Sequence, residues 1–248
     1  MIENQNTVVV IPARMASSRL PGKPMADIHG LPMIVHVWQR AMAAKVGHVL
    51  VAAAENAVAE AIRQHGGDAI VTTANLPSGS DRVAEALRYR DPQRVFKHVV
   101  NLQGDLPTID PLAVKRCLAG LMNEQVDIAT IAAPLREGEA EKPHVVKAIA
   151  NLAGEREAAY ARDFVRVLGA EHEAPHWHHI GVYAYRRAAL ETFVSLPQSA
   201  REKERSLEQM RALDNNMSIA VVRVDSVPLG VDTPDDLEEA RLLLRNSI

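Results

Sequence analysis

Apolar residues fall along the chain in short solid runs, separated by stretches of helical spacing. Residues 7–11 are β-branched without polar alternation, the pattern of a strand covered on both faces, and Pro12 is expected to end it. Beyond Pro32, Ile34, Val37, Trp38 and Ala41 recur at helical intervals. Residues 49–53 repeat the strand pattern, 58–64 the helical one with a stop at Gly66-Gly67, and 69–72 form a third short strand. Ser80 is placed to cap a helix running through Ala86, residues 99–102 read as strand, and Pro111 opens a helix to about Met122. A strand over 128–132 follows. The text from 136 to 177 is charged, His-containing and weakly periodic, and reads as an excursion. Strands over 179–185 and 219–224 and a helix over 233–244 complete the pattern.

Strand and helix in alternation predict an α/β fold with a mostly parallel, Rossmann-like sheet flanked by helices and right-handed crossovers. The whole of 1–248 is expected as one domain carrying the excursion at 136–177. Function in such sheets sits at the carboxyl ends of strands.

Composition narrows the classes. Of 248 residues 47% are hydrophobic and 24% charged, so the chain can bury a core and is not disordered. A net charge of −3 argues against a dedicated nucleic-acid or membrane-surface binder, though a local basic cluster can grip a small anion. The single cysteine, Cys117, excludes an intramolecular disulfide and a Cys-based zinc site and suits a reducing compartment. The polar opening residues lack the basic region of a signal peptide, and no apolar run approaches the ~18 residues of a membrane span. A cytoplasmic location is expected.

Candidate chemistry begins in the loop from Pro12 to Pro24, where Arg14, Arg19 and Lys23 fall within ten residues. Arginines suit bidentate phosphate contacts, lysine is a point charge, and Gly22 permits close backbone approach. A solvated connecting loop is the competing reading. Neither the Walker A pattern nor the dinucleotide fingerprint is present. Asp105 follows an apolar strand, and Asp232 precedes Thr233 and Pro234, a helix cap and first-turn pair. Two carboxylates from distant sequence can hold Mg²⁺ in one crevice; taken singly, turn formation for Asp105 and helix-terminus electrostatics for Asp232 are the better readings.

The loop, in the form Ile11-Pro12-Ala13-Arg14 through Arg19-Leu20-Pro21-Gly22-Lys23-Pro24, resembles the signature of sugar nucleotidyltransferases. It is most similar to that of the 3-deoxy-manno-octulosonate (Kdo) cytidylyltransferases. Further matches follow in order: Ser78-Gly79-Ser80-Asp81-Arg82, Gln103-Gly104-Asp105-Leu106-Pro107, His179-Ile180-Gly181-Val182-Tyr183, Leu207-Glu208-Gln209-Met210-Arg211 and Gly230-Val231-Asp232-Thr233-Pro234. The resemblance implies a nucleotide-diphospho-sugar transferase fold and transfer of CMP from CTP to the anomeric hydroxyl of Kdo, with pyrophosphate released, for lipopolysaccharide biosynthesis. It implies Mg²⁺ on Asp105 and Asp232, with Arg14 and Lys23 completing the catalytic set. Ala13, Arg14, Arg19, Gly22, Lys23, Ser78 and Gly79 would bind the nucleotide. Arg82, Gln103, His179, Tyr183, Glu208 and Gln209 would bind the sugar acid, and a homodimer is expected. Another sugar acid, an amino-Kdo analogue or sialic acid, is the nearest alternative substrate. A catalytically weak nucleotide-binding relative is the alternative from another class.

Three departures from the family pattern stand out. Leu76 and Pro77 replace the usual His and Gln, and Ala54 replaces an acid after the second strand. Tyr160-Ala161-Arg162-Asp163-Phe164 replaces Tyr-Phe-Ser-Arg, which leaves Arg162 as the candidate for the family's sugar-carboxylate arginine. His172-Glu173-Ala174-Pro175-His176 matches the H-E-x-x-H zinc motif, but Pro175 does not suit the helix that motif requires, so these histidines read as loop residues.

Overall fold

The computed structural model describes residues 4–152, 154, 157–169 and 175–245. They fall into two compact units, one within 2–115 and 228–248, the other within 116–227.

The first unit runs β1 (Thr7–Ala13), a hairpin of β2 (Asp27–Ile28) and β3 (Leu31–Pro32), α1 (Met33–Ala44), β4 (His48–Ala53), α2 (Asn56–Gln64), β5 (Asp68–Val71), α3 (Gly79–Arg90) and β6 (His98–Asn101). Its sheet has the order β5-β4-β1-β6, every pair parallel, because each strand is followed by a crossover long enough to bring the chain back in the same direction. Every residue of β1 is buried, as its unbroken apolar run requires. The helix Pro234–Leu244 returns to this unit, burying Leu237, Ala240 and Leu244 against Ile28, Met33 and Val231.

Two expectations are corrected here. Pro12 does not end the first strand but lies within it. Val10 O accepts from Leu102 N and Ala13 O from Ala54 N, so by alternation the Pro12 nitrogen faces the β6 side, where the ladder has already stopped at Val10. No sheet hydrogen bond is lost there. Ser78, not Ser80, caps α3: its Oγ accepts from Asp81 N at 3.2 Å, while Ser80 is buried inside the helix beside Asn101.

α4 (Pro111–Ala119) leads into the second unit and ends in a 3₁₀ turn, Gly120–Met122. There follow β7 (Ile128–Ala133), β8 (Lys147–Ala150), β9 (Ala158–Val165), β10 (His176–Arg186), α5 (Arg187–Ser195), α6 (Ala200–Arg205), α7 (Met210–Asp214) and β11 (Ile219–Arg223). The strand order is β10-β7-β11-β9-β8, with β8 also paired to β10. Only β7 and β11 run parallel; the other pairs are antiparallel. The expectation of a mostly parallel sheet therefore holds for the first unit's sheet and not for this one, and the fold as a whole is mixed α/β. The stretch 136–177 contributes β8, β9 and the start of β10. β9 carries a weak pattern because three of its eight residues are exposed, only two are fully buried, and its register slips opposite Ile149 and Ala150. His172, Glu173 and Ala174 lie outside the described residues. No helix among the described residues is long and apolar enough to cross a membrane.

Candidate active site

At the carboxyl end of β1 the chain leaves the sheet at Ala13 and enters the basic loop. Gly22 turns it back: with φ of +73° it occupies the left-handed region, its N–H donates to Met15 O at 3.1 Å, and it caps the short 3₁₀ turn Lys23–Met25. A side chain there would be strained. Glu55, just past β4, fixes the other end of the loop by accepting from Met15 N at 3.0 Å. The loop thus holds one path while the side chains of Arg14 and Arg19 stay exposed.

The loop borders a cavity of about 760 Å³, within the range of small-molecule sites. Ala13, Arg14, Arg19, Lys23, Ser78, Gly79, Arg82, Gln103, Asp105 and Asp232 all line it. These are the expected nucleotide and catalytic residues, apart from Gly22, which shapes the loop without lining the cavity, together with two of the expected sugar-acid residues. Leu76 contributes to the wall where the family pattern has a polar residue.

Asp105 and Asp232 are far apart in sequence and meet here for backbone reasons. Gly104 passes so close to β1 that a Cβ would stand 2.9 Å from Pro12 O, so only glycine allows this path. Val231 N then donates to Asp105 O at 2.9 Å, joining the two acidic segments. Thr233 caps the C-terminal helix in a reciprocal box with Asp236, as its position before Pro234 predicts. Burial would raise the Asp236 carboxyl, but the N–H of Asp232, the Thr233 hydroxyl and the Thr233 N–H lower it. Asp232 is held by its backbone, leaving its carboxylate to face the cavity.

Both carboxylates converge on one cation. Lys23 Nζ lies 2.8 Å from Asp105 Oδ2 and 2.9 Å from Asp232 Oδ1, and Arg19 reaches Asp232 Oδ2 at 3.0 Å. Burial would lower the Lys23 ammonium, but the two aspartates outweigh it and raise it, so it stays charged. Hard oxygen donors meeting at one point, with side chains 31% and 45% exposed, fit Mg²⁺, which keeps several waters and takes few protein ligands. Among the described residues no group of three or more His, Cys, Asp or Glu could hold a metal unaided. An ion here would complete its shell from water and substrate oxygens.

Arg82 is buried at the cavity wall. Its guanidinium donates to Thr72 Oγ1 and, at 2.9 Å each, to Thr73 O and Ala74 O, bracing the strand-to-helix connection that carries Leu76. Burial lowers its pKa. Gln103 donates to Asn101 Oδ1 and keeps its amide at the cavity wall.

The remaining expected sugar-acid residues belong to the second unit. His179 is buried, its Nε2 2.9 Å from Thr130 Oγ1, with the rings of Phe164 and Tyr183 beside it. Burial depresses its pKa to about 3, so the ring is neutral. The Thr130 hydroxyl has a single proton and lies 2.8 Å from Val182 O, so Nε2–H donates to Thr130 and Nδ1 is left as an acceptor. Burial, with Tyr185 and Glu208 nearby, raises the Tyr183 phenol. Gln209 is buried and its Nε2 has no hydrogen-bond partner among the described residues, a costly condition that a polar ligand would relieve. Arg162 is exposed on β9 at the register slip, where Asp163 pairs with Ile149 but Ala161 with Ala150. Bulged residues are commonly re-aimed beside binding sites.

Sequence reasoning missed several supports. Glu55 carried a signal, an acid just past the second strand, but its task of holding Met15 N depends on loop geometry. Gly104 lies in a matched motif, but its close approach to β1 is a tertiary feature. The buried Arg211–Glu202 pair, with Nε–Oε2 at 2.8 Å and Nη2–Oε1 at 2.6 Å, fixes the segment carrying Glu208 and Gln209; Arg211 lies in a matched motif, but nothing in the sequence pointed to Glu202 as its partner.

The profile of the cytidylyltransferase family matches residues 8–219. A protein of Paramagnetospirillum magneticum named 3-deoxy-manno-octulosonate cytidylyltransferase is 52% identical over 96% of this chain and 97% of its own length. The chain belongs to the 3-deoxy-manno-octulosonate cytidylyltransferase family. A family member from Rhodospirillum rubrum is 53% identical over 96% of this chain and 95% of its own. A solved structure of CMP:2-keto-3-deoxy-manno-octonic acid synthetase complexed with CTP superposes with a TM-score of 0.87 at 37% identity, covering 98% and 99% of the two chains. A 4-diphosphocytidyl-2C-methyl-D-erythritol synthase from Anaerococcus prevotii shares the fold alone, with a TM-score of 0.63 at 13% identity over 98% and 100% of the chains.

Proposed function

We propose that this member of the cytidylyltransferase family transfers CMP from CTP to the anomeric hydroxyl of 3-deoxy-D-manno-octulosonate. The hydroxyl oxygen bonds to the α-phosphorus, the bond to the β-phosphate breaks, and pyrophosphate leaves with the electron pair while the hydroxyl proton passes to solvent. The observation that carries this reading is the meeting of Asp105, Asp232 and Lys23 at 2.8–2.9 Å in a cavity rimmed by Arg14 and Arg19.

Arg14, Arg19 and Lys23 offset the triphosphate charge and favour its growth on the leaving group. Ala13, Gly22, Ser78 and Gly79 shape the backbone about the nucleotide. Asp105 and Asp232 would hold Mg²⁺, which when bound supplies a more acidic attacking hydroxyl and a fixed in-line geometry. On the sugar side, neutral His179 offers an acceptor and Gln209 a donor, as polyol recognition requires, with Tyr183, Glu208, Gln103 and Arg162 assigned to the same substrate. Arg82, which braces the cavity wall, is assigned to the sugar acid as well. The protein is proposed to work as a cytoplasmic homodimer that supplies activated sugar for lipopolysaccharide. Pyrophosphate release from CTP with Mg²⁺ tests this directly across Kdo, its amino analogue and sialic acid. Kdo-dependent release is expected, and turnover of sialic acid with none of Kdo would overturn the substrate.

A further inference from the structure

The Lys23 ammonium stands between the two carboxylates at hydrogen-bond distance from both. A divalent ion bridging Asp105 Oδ2 and Asp232 Oδ1 would sit within about 2–2.5 Å of each oxygen, and so would overlap or closely abut that ammonium. Two cations cannot share the position, and a +2 charge beside a +1 charge in a half-buried cleft is strongly repelled. One of them must move.

The backbone fixes which. Lys23 N donates to Leu20 O, and Met25 N and Ala26 N close the turn around it, so its main chain is held. The side chain, a flexible four-carbon stem, is free to re-aim its head. The same cavity is lined by Arg14 and Arg19, so a triphosphate drawn there brings oxygens that could take the ammonium over.

We infer that Lys23 is a placeholder cation: it neutralises Asp105 and Asp232 until divalent metal and nucleotide arrive together, then passes from the carboxylates to a phosphate oxygen. The inference rests on the assignment of the metal to the aspartate pair proposed above. It makes metal and nucleotide binding mutually dependent. Metal alone must compete with an ammonium already in place, and triphosphate alone must take that ammonium from two carboxylates. Together each ligand removes the other's obstacle, and the coupling is reciprocal.

The probe is Mn²⁺ alone, titrated into the full-length protein without nucleotide and followed by electron paramagnetic resonance. Wild type, Lys23→Met, Lys23→Gln and Lys23→Met/Asp105→Asn are compared, each with its thermal unfolding midpoint recorded. Loss of the ammonium should tighten Mn²⁺ by about tenfold, and Asp105→Asn should abolish the gain. Lys23→Gln keeps a neutral donor to the carboxylates and serves if the methionine variant does not fold. Equal Mn²⁺ affinity in wild type and both Lys23 variants, with binding that still depends on Asp105, overturns the placeholder and leaves the metal assignment standing. Mn²⁺ binding that is equal in Lys23→Met and Lys23→Met/Asp105→Asn overturns the metal assignment itself.

Discussion

The two units use the same residue types to opposite ends. In the first, Arg14, Arg19 and Lys23 and two aspartates sit on a loop and on strand and helix ends, part-exposed, in pairings that can be exchanged. In the second, several polar groups are closed into bonded sets. Arg211 clasps Glu202, each side chain 5% exposed, Lys147 gives its buried ammonium to Lys142 O and Arg166 O, and His179 is tied to Thr130. Parallel strands end together and present loops at one edge, which favours an open charged site. Antiparallel strands with bulges turn polar side chains inward, where each must find a partner. Burial, more than residue identity, separates a group that binds from one that holds. Substitutions in the closed sets should register in stability, and those in the open set in turnover or substrate use.

The sharpest test of the closed class is Arg211→Met. It leaves Glu202 buried and charged without its partner, which costs about 3–5 kcal/mol. Burial would raise the Glu202 carboxyl, and Arg211, with help from the Ser199 N–H and Gln198, lowers it. Replacing both residues by apolar ones of similar volume should recover most of the loss, measured by urea denaturation. A single variant within about 1 kcal/mol of wild type would contradict the closed-set reading.

Asp105→Asn and Asp232→Asn test the open class. Each should cut turnover at saturating substrate by about 100-fold or more, because groups a shell further from a metal already cost up to that. The double variant should lose little beyond either single one if both hold one ion. Neither change should lower the unfolding midpoint appreciably. Multiplying losses would assign the two carboxylates separate tasks.

The first unit was legible because its signals are local. Solid apolar runs gave its strands, and glycine and proline placed the loop and the final helix cap. Its cavity gathers residues from well-separated motifs because β1, β6 and the C-terminal helix meet there. Pro12 and Ser80 misled for one reason: strand end and cap are decided by which neighbour a backbone group faces. Much of the second unit was opaque. β8 is only four residues, β9 has three exposed residues and a register slip, and α6 is Ala200 followed by five charged residues held by a tertiary ion pair, so none carries a usable period. His179 and Gln209 came only through family resemblance, since their burial follows from packing.

His179 adds a pH test. Its folded pKa is about 3 and its ordinary value 6.5, so between these the unfolded chain binds the extra proton and stability falls as pH falls. From pH 6.5 to 4.5 this amounts to about 2 kcal/mol. The lowered carboxyls of Glu139, Glu202, Asp214 and Asp236 contribute at lower pH, because their unfolded values are 4.5 or 3.8. His179→Gln should therefore flatten the stability profile in this window and leave the acid limb unchanged. An unaltered slope would mean that the ring takes a proton in the folded state.

Arg162 is the one candidate that crosses the comparison, an exposed cation in the unit of closed sets. Its neighbours are committed: Asp163 pairs with Arg205, and Arg166 donates to Arg205 O and Ser206 O. The register slip at Arg162 breaks the alternation that would otherwise fix its side with Tyr160. If Arg162 grips the sugar-acid carboxylate, it behaves as an open-class group. Arg162→Ala should then raise KM for Kdo about tenfold, leave KM for CTP unchanged and leave the unfolding midpoint in place. Arg162→Lys should recover part of the loss, since charge is kept but the bidentate fork is not. Unchanged Kdo kinetics in Arg162→Ala would remove it from the site and leave the carboxylate to be held from the first unit, where Arg14 and Arg19 still present exposed guanidinium groups.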